Sequence, residues 1–499
     1  MIDMRKVAYI VSALVLTGCG GGGDSGNNSV SVATNSSQQS PVTLSLSVNK
    51  TFVRTGETLT VTWDSTNSSG CTASGNWSGA KAKSGSETFE VSNAGKHSYT
   101  LECSGTGTSA KQSQAVIVPY PVYTTSYENK NSIPFDTTQV PTIRALGIKI
   151  DSDEQDSNER SITFGDFFQE GKISAFVVTT RHKNVYGIAN LSDSPAKAYF
   201  LSQNDTGKWV DRTSELIKVS EDRYNCVTVS YAMTADFNND KVPDVFLSCN
   251  GIDYDLGGGT MNVSHPNFRQ TYLDYLVVYL SQSDKTYKKV KLPYQVYAHQ
   301  AAVADLNKDG AVDVVLTNQI SESERLPVVL MGNGDGSFYK NTTFLPNELL
   351  NQNKNGLYQV QIIPIDNRLD ILFGYTNETL YLRGNQNGTF DVSTAKIIRM
   401  PVSVAYKTEY VMPLDVIYKE GHFYFSTNTA HKDGTEWAIV KTNMQTMSHT
   451  VTLTFNNFTN NFQSYSAQIK LNKSGEFVAY TGGCKSDTNQ GMCGLKVKF

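Results

Sequence analysis

The chain of 499 residues has room for about three domains at roughly 150 residues each. Charged residues are 18 % of it, and 43 basic against 47 acidic side chains leave a net charge of -4, so the basic domain of a nucleic-acid binder is absent. With 39 % hydrophobic residues, 26 Tyr, 22 Phe, 38 Gly and 14 Pro, the composition also excludes a disordered chain, a collagen and a coiled coil, and leaves a strand-rich globular protein.

Arg5 and Lys6 precede an apolar run from Val7 to Leu16, a charged segment and short hydrophobic segment of the kind that opens an exported protein. The run is too short to span a bilayer, which needs about 20 residues. It ends in Leu16-Thr17-Gly18-Cys19, which resembles the lipobox of bacterial lipoprotein signal peptides; an ordinary signal peptide is the alternative. The resemblance implies that Cys19 is lipidated and becomes the new N-terminus. Three acyl chains exceed the two signals needed for stable anchoring, so the partner expected at this end is a membrane that the chain does not cross. Gly20 follows the cysteine, which in that family favours the outer membrane, with either face open. Residues 20–41 are rich in Gly, Ser and Asn and have the composition of a flexible tether. A Gly-x-Gly-x-x-Gly match at Gly18, Gly20 and Gly23 has no strand before it or helix after it, so it is no nucleotide fingerprint.

Residues 42–119 alternate apolar and polar over short runs such as Thr43–Val48, Thr58–Trp63 and Ser98–Cys103, the pattern of strands with one buried face. A Trp ahead of two cysteines makes this unit similar to bacterial immunoglobulin-like domains, which implies a spacer. Of seven Cys, Cys19 is assigned to lipid, and an even remainder in an exported chain points to disulfides. Six cysteines allow fifteen connectivities; local pairing gives Cys71 with Cys103, Cys226 with Cys249, and Cys484 with Cys493. Zinc is the rival reading, but no Cys-x-x-Cys occurs.

Residues 120–143 read as a linker, and from 144 to 499 a repeat emerges. Ala304-Asp305-Leu306-Asn307-Lys308-Asp309-Gly310-Ala311-Val312-Asp313-Val314-Val315-Leu316 matches the segment Ala235–Leu247 closely. Weaker echoes start at 166, 366, 415 and 470, so successive steps are 70, 69, 61, 49 and 55 residues. Most copies are followed by a turn such as Gly332-Asn333-Gly334-Asp335-Gly336-Ser337-Phe338, in which Gly and Asn supply the positive φ of a tight hairpin. These segments resemble FG-GAP or VCBS repeats, whose fold is the integrin-type β-propeller. The expectation is an all-β chain: a small immunoglobulin-like β-sandwich followed by a six- or seven-bladed β-propeller. A seventh blade would have to lie near Asn131–Ser161 or be completed by Gly494–Phe499.

Asp236, Asn238, Asp240 and Asp244, and likewise Asp305, Asn307, Asp309 and Asp313, stand at positions 1, 3, 5 and 9 of their loops. Alternating hard oxygens suit calcium, and the resemblance adds the position-7 carbonyls of Val242 and Ala311. Lys241 stands where the second loop has Gly310, and a non-glycine residue at positive φ is unfavourable, so weaker binding is expected there. Catalytic motifs are lacking. Tyr231, His265, Arg269 and His299 are the candidate ligand contacts, with the long segment Asn250–Phe268 as a candidate binding loop. Two functions stay open: a calcium-binding, lipid-anchored receptor or adhesin for a protein or glycan, and an enzyme that degrades extracellular polysaccharide.

Overall fold

The computed structural model describes residues 40–121, 154–155, 162–178, 180–181, 197–218, 229–249, 273–318, 326–346, 350, 356–390, 392–402, 411–431, 434–456, 463–471, 477–482 and 492–497. Cys19, the tether up to residue 39, the linker beyond residue 121, Cys226, His265, Arg269 and Cys484 fall outside them, as does most of the segment proposed for a seventh blade.

The first unit is a two-sheet sandwich. One sheet orders Thr43–Val48, Thr58–Thr66 and Ser84–Glu90; the other orders Gly79–Lys81, Gly70–Gly75, Gly95–Ser104 and Ser109–Val118. Alternation in Thr43–Val48 and Thr58–Thr66 sends Leu44, Leu46, Leu59, Val61 and Trp63 inward, where Trp77 meets Trp63 edge to face at 5.4 Å. Burial of such a face is the main stabilising term for a unit of this size. Cys71 and Cys103 are directly opposite one another on neighbouring strands and form a disulfide. The bridge lies within one sheet, whereas the immunoglobulin bridge joins two sheets. That is a departure from the family the sequence suggested.

The rest is a β-propeller. Its blades, numbered here I to VI, are antiparallel meanders. Blade I holds Ile162–Gly165, Ser174–Val178, Ala198–Gln203 and Trp209–Asp211, and blade II holds Val229–Ala235, Asp244–Cys249, Tyr275–Ser281 and Tyr287–Gln295. Blade III holds Ala301–Ala304, Asp313–Leu316, Val328–Gly332 and Phe338–Asn341, and blade IV holds Leu357–Ile365, Arg368–Tyr375, Glu378–Leu382 and Lys396–Arg399. Blade V holds Met412–Lys419, His422–His431, Gly434–Asn443 and His449–Asn456; blade VI shows Gln463–Leu471, Phe477–Gly482 and Met492–Val497. Among the described residues this is five four-stranded sheets and one three-stranded sheet, with a two-stranded pair of Glu154–Gln155 and Thr180–Arg181 beside them in the chain.

Inner strands are buried end to end, as in Val229–Ala235, because each blade is covered on both faces. Apolar layers fill the wedges: Phe176, Phe200, Tyr279 and Tyr287 between blades I and II, and Met233, Phe246, Val303 and Leu330 between II and III. Polar bonds join successive blades near the axis. Thr163 and Thr234 hydroxyls meet at 2.6 Å, Ser230 donates to the Ala298 carbonyl, and the Val360 amide donates to Gln300 Oε1 at 2.9 Å. Beyond these, the Val411 amide donates to Asn377 Oδ1 at 2.8 Å and the Ile469 amide to Asp415 Oδ2 at 3.0 Å.

Asp415 corrects the repeat alignment. It lies inside an inner strand, and the blade V turn is Glu420-Gly421, with φ of 50° and 76°. Cys249 ends the second strand of blade II and is disulfide-bonded. Backbone pairing sets Cys493 opposite Thr481.

Candidate functional site

In an antiparallel meander, first-to-second loops and third-to-fourth hairpins share one end of the blade. The starts of the inner strands and the second-to-third connections share the other. Both acidic loops therefore lie on what we term the loop face, and His299, just before Ala301–Ala304, lies on the entry face.

Position 1 of each acidic loop caps its own turn. Asp236 accepts from the amides of Asp240 at 3.1 Å and Lys241 at 2.8 Å; Asp305 accepts from Asp309 at 3.1 Å and Gly310 at 2.9 Å. Blade I builds the same turn with Asp166, which accepts from Glu170 and Gly171 at 2.9 Å each. Positive φ recurs at positions 4 and 6 in all three: Gln169 and Gly171, Asn239 and Lys241, Lys308 and Gly310. Phe168 occupies position 3 in blade I, so this backbone forms without the alternating ligand set. Lys241 does take the strained conformation expected of it, with φ 64°.

Position 9 serves as a clamp. Asp244 and Asp313 are fully buried. Asp244 Oδ2 accepts the Phe237 amide at 2.8 Å and Oδ1 accepts the Ser281 amide at 2.7 Å. Asp313 Oδ2 accepts Leu306 at 2.8 Å and Oδ1 accepts Gly332 at 2.9 Å. Each carboxyl thus ties the loop to the end of the third strand. Gly332 is required there, since a Cβ would collide with the Val312 carbonyl. In blade IV the loop shrinks to the Asp366-Asn367 turn, and the Tyr381 hydroxyl, donating to Asp370 Oδ2 at 2.6 Å, replaces the missing loop amide, while Gly384 at 2.9 Å and Arg368 Nε at 3.0 Å donate to Oδ1.

Burial pushes the Asp244 carboxyl up to about 7 and the Asp313 carboxyl up to about 6, against the opposing pull of these amides. Asp240 adds to the rise at Asp244, and Asp309 and Asp305 add to that at Asp313. The sequence assigned both position-9 groups to the metal alone; the structure gives both oxygens of each to hydrogen-bond donors. Among the described residues no three His, Cys, Asp or Glu side chains group to hold an ion. Hard oxygens at positions 1, 3, 5, 7 and 9 fit calcium by type; Asp305 and Asp309, like Asp313, also give both carboxylate oxygens to hydrogen-bond donors.

At the entry face, His299 stands between two aromatic rings, 5.3 Å from Tyr297 at 86° and 5.4 Å from Tyr358 at 49°. His299 and Tyr358 are half-buried, and Tyr358 comes from the neighbouring blade IV. Next to them, buried Gln300 bonds Val360 and reaches the Leu414 carbonyl at 3.5 Å, bridging blades III, IV and V. Tyr231 is not part of this group: it is 7 % exposed and packed in the apolar layer between blades II and III. The connection that carries His265 and Arg269 leaves Cys249 and returns by Leu273, both at the entry end. The sequence reading missed Tyr297 and Tyr358, since a tyrosine at a strand end in a chain with 26 of them carries no mark.

No protein-family model matches the chain, and no curated protein matches it. Solved structures similar to it include an endo-arabinase from Bacteroides thetaiotaomicron, at 10 % identity over 51 % of this chain and 90 % of that one, with a TM-score of 0.31. NanB sialidase from Streptococcus pneumoniae is similar at 13 % identity over 91 % of this chain and 68 % of that one, TM-score 0.31. A quinonprotein alcohol dehydrogenase-like protein from Bacteroides thetaiotaomicron is similar at 10 % identity over 82 % and 93 %, TM-score 0.29. At such scores, function is argued from this chain's own residues.

Proposed function

We propose that the protein is a lipid-anchored glycan-binding module: the sandwich carries the propeller, and the entry face binds carbohydrate. The observation that supports this reading is the His299, Tyr297 and Tyr358 group beside the polar Gln300. The half-buried faces of His299 and Tyr358 suit the C–H faces of sugars and the imidazole suits their hydroxyls, the mix of apolar walls and few polar anchors that small-ligand sites use, while Tyr297 and Gln300 are buried beside them. Calcium in the blade III loop, held by Asp305, Asn307, Asp309 and the Ala311 carbonyl, would hold the scaffold together and take no part in recognition.

His299→Ala and Tyr358→Ala are each expected to weaken binding to a glycan panel by about tenfold, the loss of about 1.4 kcal/mol, with folding unchanged by circular dichroism. Undiminished binding in both variants would place the ligand elsewhere.

The second reading is a polysaccharide-degrading enzyme. It is favoured by the imidazole of His299, the side chain that general acid–base catalysis uses most often. The same panel decides between the two, because release of reducing or unsaturated sugar ends that is lost in His299→Ala would make the protein an enzyme.

Anchoring has its own test. No helix among the described residues is long and apolar enough to cross a membrane. Cys19→Ala is therefore expected to release the protein from membranes without detergent. Retention that still required detergent would overturn the lipoprotein reading.

A further inference from the structure

The sandwich sits on the loop face, over blades I and II. Arg54 reaches from the sandwich to the acidic loop of blade II, where its two guanidinium nitrogens donate to the carbonyls of Lys241 at 2.8 Å and Asp240 at 3.2 Å. Phe52 lies beneath two cations, Arg54 at 5.8 Å and Lys285 of the blade II hairpin at 5.9 Å. A second contact engages blade I: the Tyr120 amide donates to Asp166 Oδ2 at 3.0 Å. Beside it Gly171 meets the Gly95 turn so closely that a Cβ would lie 2.7 Å from the Gly95 carbonyl. Between these contacts runs a cleft of about 320 Å³, which Arg54, Glu57, Tyr120, Asp236 and Lys241 help to line.

The two acidic loops, alike in sequence, thus have different surroundings. At blade II Arg54 is held on two loop carbonyls, and the exposed Lys241 lines the cleft beside it. At blade III the position-4 side chain, Lys308, points away to the Asn367 and Gln386 carbonyls of blade IV, and among the described residues only Val312 of that loop region lines the cleft.

We propose that the blade II loop is the docking surface for the chain's own sandwich, with Arg54 supplying the positive charge that a metal ion would otherwise bring, and that calcium binding is confined to the blade III loop. The forked guanidinium suits this task because it holds two carbonyls at once, which a single ammonium does less well. Opposed to the sandwich, the entry face is left directed away from the anchored end. The calcium part of this inference rests on the reading above; the docking part stands on the contacts alone.

Two measurements on the full chain test it. Calorimetric titration with calcium chloride is expected to give one equivalent, lost in Asp309→Asn and retained in Asp240→Asn. Two equivalents, one of them lost in Asp240→Asn, would overturn the assignment. Small-angle scattering and hydrogen exchange of Arg54→Ala are expected to show a longer particle. Exchange is expected to rise about tenfold at residues 91–96 and 166–172, as loss of charge-assisted hydrogen bonds worth about 1.4 kcal/mol or more would give. Arg54→Lys should fall between. Unchanged dimensions and exchange in Arg54→Ala would overturn the docking role. Absence of calcium binding to any variant would instead remove the calcium reading, and the scattering arm would still decide the docking.

Discussion

Asp313→Ala is expected to destabilise the propeller by about 2 to 6 kcal/mol, from about 1 to 3 kcal/mol for each of two buried amides left without an acceptor. Those amides belong to Leu306 and Gly332, and the carboxyl that serves them is fully buried. The loss is expected with calcium and with chelator alike, because both partners left without an acceptor are backbone amides. Asp309→Ala is expected to behave in the opposite way. Its carboxylate is exposed and accepts from the Ala311 amide at 2.9 Å, so with chelator the change should be small. At a calcium concentration about a hundredfold above the dissociation constant, binding to the folded state adds about 2.7 kcal/mol, and Asp309→Ala should forfeit most of it. Thermal melts of the two variants, each with calcium and with chelator, make the comparison. Equal melting curves for the native chain in both conditions would remove calcium from the account. A calcium-dependent loss in Asp313→Ala would show that position 9 is a ligand as well as a clamp.

The double variant Cys71→Ala with Cys103→Ala is expected to lower the stability of the sandwich by about 3 to 4 kcal/mol in the chain-entropy account, given a sequence separation of 32 residues. That is a large share of the roughly 5 to 15 kcal/mol typical of a folded domain. Calorimetry should show a sandwich transition that moves to lower temperature, and a propeller transition that does not. A reducing agent is the poorer probe, because Cys249 is also disulfide-bonded. An unmoved sandwich transition would mean that the bridge adds nothing to folding. A propeller transition that falls equally would mean that the Arg54 and Tyr120 contacts make the two units unfold together.

The repeat was legible because its local parts act locally. Asp at position 1 caps the amides four and five residues on, and Gly334 and Gly336 take φ of 74° and 83° in the hairpin. Alternation likewise marked the sandwich strands with one buried face. It failed for Gly70–Gly75 and Gly79–Lys81, whose glycines and serines carry too little apolar pattern to be read as strands. The blade V turn was misplaced for a related reason: Leu414-Asp415 looks like a loop start, yet Asp415 sits in a strand, where Oδ2 accepts the Ile469 amide of the next blade.

By itself the sequence determined the all-β class, a run of blade-like repeats, the backbone of the acidic turns and the Cys71–Cys103 pairing. All of these depend on residues near one another in the chain or on simple alternation. The roles of the acidic residues were decided by tertiary structure. An aspartate that caps its own turn and one that ties its loop to the third strand are the same letter, and the difference lies in donors brought from elsewhere, Ser281 for Asp244 and Gly332 for Asp313. Arg54 and its acceptor at Lys241 are 187 residues apart, and His299 meets Tyr358 only because consecutive blades bring their inner strands side by side. Such groups come together when packing closes the chain, because no local propensity couples them.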